Sequence, residues 1–234
     1  MPDLDKLERK IEACFNDAEA NGWFPPELNE ESDAQYWRLV AASLRPAKGM
    51  RILDAGCARG RYARRLSAAG AHVTGMDLTA LFLHDARRAI LEVDFVQATL
   101  RQLPFADATF DGVLCNGVLC HLADRKSALS EMARILKPGG TLLVIDHNLT
   151  GLHPRYFLPA SWVKWYQERK GLWMYPPGFE FRENYFRADQ LSYELGAWFS
   201  HVDETFVTEG HGRASALYNL FPSLSCEAAW VARR

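Results

Sequence analysis

The sharpest chemical signal in the chain is the run Ile52-Leu53-Asp54-Ala55-Gly56-Cys57-Ala58-Arg59-Gly60. An apolar stretch ends on an acid, and two glycines follow at the spacing Asp-x-Gly-x-x-x-Gly ahead of a helical stretch. Glycine at such a strand-to-helix turn lets a ligand approach the backbone, because no Cβ stands in the way. The spacing is not the Gly-x-Gly-x-x-Gly that seats a pyrophosphate on a helix N-terminus. A carboxylate here repels a pyrophosphate and attracts an ammonium or sulfonium group. Further on, Val73-Thr74-Gly75-Met76-Asp77 ends a second apolar run on another acid, placed to accept both hydroxyls of a ribose.

The elements that must position these groups are legible as periodicities. Leu4, Leu7, Ile11, Phe15 and Ala18 recur at spacings of three and four, which predicts an amphipathic helix ending near Asn21-Gly22, before Trp23-Phe24-Pro25-Pro26. A second helix is expected from about Asp33 to Leu44, stopping before Arg45-Pro46. Short apolar strands then alternate with helices: Arg51–Asp54, His72–Met76, Phe95–Ala98, Gly112–Cys115 and Thr141–Asp146, with helices beginning near Gly60, Leu81 and Asp124. Pro138-Gly139-Gly140 is read as the turn that separates a helix from the fifth strand. Such alternation implies crossover connections and a parallel sheet covered on both faces. Residues 149 to about 200 break the rhythm: between Gly151 and Arg187, 11 of 37 residues are aromatic, and six bases against three acids give a net +3. Val202–Val207 and Ala228–Ala232 read as two last strands.

Two further motifs complete the series. A third strand leads into Ala98-Thr99-Leu100 and then Leu103-Pro104-Phe105-Ala106-Asp107-Ala108-Thr109-Phe110-Asp111, and a helix and turn read Glu131-Met132-Ala133-Arg134-Ile135-Leu136-Lys137-Pro138-Gly139-Gly140. Four motifs in this order, each at a strand end, resemble the class I S-adenosylmethionine-dependent methyltransferases, in the broad group that includes the quinone-biosynthesis enzymes. The resemblance covers about Met50 to Asp146.

It implies a Rossmann-like, doubly wound α/β fold with a seven-stranded sheet, mostly parallel, whose last strand is antiparallel. One domain is expected over 1–234: a helical cap or lid (1–44), a cofactor-binding core (45–148), a substrate-cap insertion rich in aromatics after the fifth strand (149–200) and the last two strands (201–234). S-adenosylmethionine is the implied cofactor, leaving as S-adenosylhomocysteine. Gly56 and Gly60, with Cys57 between them, would flank its methionine half, and Asp54 would hold the ammonium group indirectly. Asp77 would take the ribose hydroxyls and Leu78 one adenine face. Thr99 and Leu100 would sit at the adenine edge, with the Asn116 carbonyl near the methionine amine. His121, in Leu119-Cys120-His121-Leu122, stands where the family often has His. Two departures stand out. Ala58 replaces a common Gly, which close packing should tolerate. Thr99 stands where the family usually has an Asp accepting the adenine amino hydrogens, and a neutral acceptor is weaker than a charged one.

Methyl transfer from a sulfonium needs chiefly an aligned acceptor and a dry site, with a base only when the acceptor must lose a proton. His121 or His147 is expected in that role, with Tyr156 and His211 further out. Tyr156, Trp162, Trp165, Tyr166, His211 and Arg213 are the expected substrate contacts, and the basic, aromatic cap would suit an anionic acceptor with a flat or greasy body. Asp146, His147 and Asn148 are potential metal ligands, but successive strand residues point to opposite faces, so no metal is expected.

A formal charge of −2 and the absence of an Asn/Asp-Pro-Pro-Tyr/Phe motif at Cys115-Asn116-Gly117-Val118 argue against nucleic acid as substrate. A small molecule is expected, with no membrane partner; the oligomeric state is left open. Scattered cysteines, no apolar run of membrane-spanning length and a charged opening segment make the expected location cytoplasmic. Two rivals stay open: a protein of the same fold that binds the cofactor without transferring its methyl group, and a nicotinamide-dependent oxidoreductase.

Overall fold

A computed structural model describes residues 3–17, 30–172, 175, 178–179, 181, 183–209 and 211–234. Its strands are β1 Arg51–Ala55, β2 His72–Asp77, β3 Asp94–Gln97, β4 Phe110–Asn116, β5 Leu136–His147, β6 His201–Phe206 and β7 Glu227–Arg233. They form one sheet in the order β3-β2-β1-β4-β5-β7-β6. β7 runs antiparallel to both β5 and β6, and the remaining pairings are parallel. Because β1 is flanked by β2 on one side and β4 on the other, the strand order reverses there. The carboxyl ends of β1 and β4 therefore border the crevice where ligands bind in open parallel sheets.

The helices are α1 Leu4–Asn16, α2 Glu30–Leu44, α3 Arg61–Ala68, α4 Ala80–Ala89, α5 Arg125–Ile135, α6 Ala160–Arg169, α7 Ala188–Leu195 and α8 Ser215–Leu220. Val40 and Leu44 of α2 and Tyr62 and Leu66 of α3 pack on one face of the sheet. Leu129 and Met132 of α5, Leu191 and Leu195 of α7 and the fully buried Trp230 cover the other. Coverage on both sides explains why β1 and β4 read as unbroken apolar runs. Among the described residues, no helix is long and apolar enough to cross a membrane.

The expected strands and helices are all present, with ends displaced by a few residues. The turn expected at Asn21–Pro26 lies outside the described residues, as do Trp173, Glu180 and Arg182 of the aromatic stretch. One expectation is corrected. Pro138-Gly139-Gly140 lies inside β5 rather than ahead of it: Phe110 pairs with Leu136 and Gly112 with Thr141, so residues 137–140 bulge opposite Asp111. Gly139 takes φ +79° there, and Lys137 Nζ reaches Asp111 Oδ1 at 2.7 Å across the bulge. Pro138 offers no N–H to the ladder, which suits an irregularity of this kind.

The segment after β5 is pinned to the sheet. Asn148 is fully buried, its amide donating to the carbonyls of Ser223 (3.0 Å) and Ser225 (2.8 Å) while its oxygen accepts from Thr150. The chain returns along the end of β5, with Phe186 N–H donating to His147 O (3.0 Å) and Asn184 N–H to Cys120 O (2.9 Å).

Candidate functional site

A cleft opens at the carboxyl ends of β1, β2 and β4, with Glu8, Ile11 and Phe15 of α1 along one side. The chain leaves β1 through Gly56 at φ +81°, and a Cβ there would overlap Val118 Cγ2 from the β4 side. Gly56 is therefore required twice, by its left-handed backbone and by the approach of the neighbouring loop. Gly60 differs: a Cβ would meet Ile90 Cδ1 at 2.7 Å and Phe95 Cζ at 2.9 Å, so it serves the packing of the α3 start and does not border the cleft. Cys57 is likewise buried outside the lining, its N–H donating to Met76 O at 2.9 Å. Ala58 lies at φ +47°, so the residue standing where the family has Gly carries backbone strain, not merely an extra methyl group.

Two acids meet at this turn. Asp54 is 3% exposed, and its Oδ2 has no partner among the described residues. Burial pushes its carboxyl up to about 7; the Ala63 N–H and the Arg61 charge pull against that, and Asp77 adds to it. Asp77 accepts the Ala58 N–H at Oδ2 and the Thr79 N–H at Oδ1, both at 2.8 Å. Burial raises this carboxyl too, and those N–H groups oppose the rise. The Thr79 hydroxyl and the Leu78 N–H also donate to this carboxylate. Leu78, Phe82, Thr99 and Leu100 continue the lining as an apolar slot. Asn116 does not reach the cleft, whereas its neighbours Gly117 and Val118 do.

His121 closes the far side on a 3-10 turn, Leu119–His121. Its Nδ1 lies 3.0 Å from the Tyr175 hydroxyl and 3.3 Å from Glu183 Oε1, and the Phe15 ring meets it edge-on at 5.3 Å. Burial holds the imidazole down to about 3, with the charges of His147 and Lys164 acting in the same direction. It is thus neutral at physiological pH. His147 sits behind, its ring 4.8 Å from Tyr185 and outside the cleft.

Successive positions at the end of β5 do not keep their side chains apart. Cys120, Asp146 and His147 bring potential ligand atoms within 4.8 Å of one another, because His147 is the last residue of β5, where the alternation of faces ends. The Asp146 carboxylate accepts the N–H groups of Cys120 (3.1 Å) and His147 (2.8 Å), so it ties the β4 and β5 ends together.

The expected substrate contacts lie elsewhere. α6 turns Val163 and Lys164 inward, which leaves Trp162 (67% exposed), Trp165 (52% exposed) and Tyr166 on the outer face. Arg169 and Lys170 lie over the Trp165 and Tyr166 rings there. Tyr156 is exposed and stacks on His153. His211 Nε2 is 3.0 Å from Val207 O, and Arg213 is exposed. None of these six side chains lines the cleft. Sequence reasoning missed Glu8, Phe15, Phe82, Gly117, Tyr175 and Glu183. Gly117, following an apolar strand, carried a readable signal; Phe82 follows Asp77 on α4 but reads as an ordinary core position, and the others arrive from elements remote in the chain.

Comparison with known proteins agrees with this geometry. Residues 53–144 match the family described as "Methyltransferase domain". The chain is 36% identical over 159 residues to a ubiquinone biosynthesis O-methyltransferase of Alkalilimnicola ehrlichii, covering 63% of this chain and 64% of that one. It is 34% identical over 134 residues to an O-methyltransferase of Aspergillus nomiae (53% and 60%) and 31% identical over 150 residues to a demethylmenaquinone methyltransferase of Clavibacter sepedonicus (62% and 61%). The chain thus spans about three fifths of the length of these relatives. In fold it matches an S-adenosylmethionine dependent methyltransferase of Mesorhizobium loti with a TM-score of 0.64 at 20% identity, over 87% of this chain and 100% of that one. Residues 53–144 therefore match a methyltransferase domain, in a chain whose relatives are named as O-methyltransferases and quinone-biosynthesis methyltransferases.

Proposed function

We propose that the cleft binds S-adenosylmethionine and that the protein transfers its methyl group to an oxygen of a small hydroxylated molecule. The observation that carries this reading is that His121 lines the same cleft as Gly56 and Asp77. The residues fit the cofactor. Asp77 brings a buried carboxylate to the cleft wall for a diol, Leu78, Phe82 and Leu100 form a slot for a flat ring, and Asp54, buried behind the lining at Gly56, carries an unpartnered oxygen that would favour a cationic end indirectly. When bound, S-adenosylmethionine supplies a methyl group already activated by its sulfonium charge.

The protein's own task is then to orient and to move a proton. With its Nδ1 proton shared between the Glu183 carboxylate (3.3 Å) and the Tyr175 oxygen (3.0 Å), His121 would leave Nε2 as the base. A hydroxyl held against Nε2 would pass its proton to the imidazole as it becomes nucleophilic, a role that requires ligand binding to raise the basicity that burial holds down. Phe15 and Tyr175 pack around the ring and keep water away. Relatives named as O-methyltransferases support an oxygen acceptor. With the α6 aromatics facing outward they lend no support to an anionic acceptor, and of the two candidate bases, His121 and His147, the one that lines the cleft is His121. α1 forms part of the cleft wall, which supports a lid role for the N-terminal segment.

Titration calorimetry with S-adenosylhomocysteine, followed by its release during incubation with a panel of phenols and catechols, tests the reading. Binding and turnover are expected, and His121→Gln should lower kcat at least a hundredfold with cofactor affinity unchanged. Absence of S-adenosylhomocysteine binding at high micromolar concentration would refute it.

A further inference from the structure

Thr99 lacks the carboxylate that an adenine amino group would call for, yet a carboxylate stands beside it. Glu8 of α1 lines the cleft, and its Oε1 accepts the Thr99 hydroxyl proton at 2.9 Å. Arg101 holds the same carboxylate from behind, Nε to Oε1 at 2.6 Å and Nη2 to Oε2 at 3.0 Å. The Glu8 side chain is only 18% exposed, so its position is set by these bonds. Neighbouring positions on the same helix face repeat the theme: Glu12 accepts from Gln97 at 3.1 Å, and Gln97 also donates to Leu78 O at 2.9 Å. α1 is thus bonded to the rim formed by the ends of β2 and β3.

We infer that Glu8 supplies, from α1, the negative charge that recognises the exocyclic amino group of the cofactor's adenine, so that α1 is part of the cofactor site. This rests on reading the cleft as an S-adenosylmethionine site. Oε2 accepts one bond from Arg101 and keeps a lone pair for an N–H donor. Thr99 already accepts the Arg101 N–H at 3.2 Å and, donating its own proton to Glu8, becomes a better acceptor through its one remaining lone pair. Both routes favour an amino group and disfavour a carbonyl at that position of the purine.

The test uses the full chain, S-adenosylhomocysteine and S-inosylhomocysteine, in which a carbonyl replaces the amino group, with affinities read by calorimetry. Wild type should prefer the adenosyl compound. Glu8→Gln keeps the shape and removes the charge. It should weaken S-adenosylhomocysteine about tenfold, the scale of a charge-assisted bond, and shrink the preference over the inosyl compound. Adding Thr99→Asp to Glu8→Gln should restore both. Arg101→Gln, which loosens α1 while keeping the carboxylate, should cost less and preserve the preference. Unchanged affinity and preference in Glu8→Gln overturns the inference. So does an equal loss in Arg101→Gln together with failure of the Thr99→Asp rescue, since α1 would then act only by docking. If wild type binds neither compound, the methyltransferase reading of the cleft falls with it.

Discussion

Asp54→Asn separates what the fold tolerates from what the ligand needs. A carboxyl raised from 3.8 to about 7 keeps its proton in the folded chain over a range where the unfolded chain has lost it. The folded state therefore holds the extra proton, and stability falls as pH rises from about 4 through 7, then levels off. At about 1.36 kcal/mol per pH unit, the full rise amounts to about 4 kcal/mol at pH 8. Asn keeps the shape and does not titrate. The stability difference between variant and wild type should be small at pH 4, grow with a slope approaching 1.4 kcal/mol per unit, and plateau near 4 kcal/mol above pH 7 in favour of Asn. Urea unfolding at four pH values reads this directly, and at pH 8 the melting temperature should rise on the order of 10 °C. Asp146 and His121 titrate in both proteins and cancel in the difference, whereas Asp77, whose charge acts on Asp54, is itself eased when that charge is removed and adds in the same direction. A cation near Oδ2 favours the ionised form, so wild type should bind S-adenosylmethionine more tightly as pH rises from 6 to 8, with proton release, while Asp54→Asn should bind weakly at every pH. A stability difference that stays flat with pH would refute the reasoning.

Three further substitutions probe the same turn and the outer face. Gly56→Ala adds a Cβ that overlaps Val118 at a left-handed backbone position; it should cost about 3 kcal/mol and abolish S-adenosylhomocysteine binding, and Val118→Ala should recover only part of the stability. Ala58→Gly relieves φ +47° and should stabilise by about 1 kcal/mol in chemical denaturation, leaving cofactor affinity unchanged. Trp162→Ala with Trp165→Ala should leave cofactor affinity and turnover as in wild type, because both rings lie on the outer face of α6; a tenfold fall in turnover would return them to the substrate site.

The sheet was legible because parallel strands buried on both faces leave contiguous apolar runs, and Asp54, Gly56 and Asp77 were legible because they punctuate those runs. The cleft's other wall was not. Glu8 and Phe15 look like any polar and apolar pair on an amphipathic helix, and nothing in the sequence says that this helix lies against the ends of β2 and β3. Glu183 reaches His121 only because residues 184 and 186 bond to Cys120 and His147. On α6 the same limit misled. Aromatics at positions 162, 165 and 166 mark one helix face, but periodicity alone does not say whether that face looks toward core, ligand or water.

Asn148 has a reach out of proportion to its size. By gripping the carbonyls of Ser223 and Ser225 while bridging to Phe186, it makes a hinge post shared by three stretches far apart in sequence. The acidic neighbour of the imidazole hangs from that post three residues away, so changes in the loop before β7 would be felt as altered basicity at the reacting end. Selection for new acceptors could therefore work on residues that never meet an acceptor.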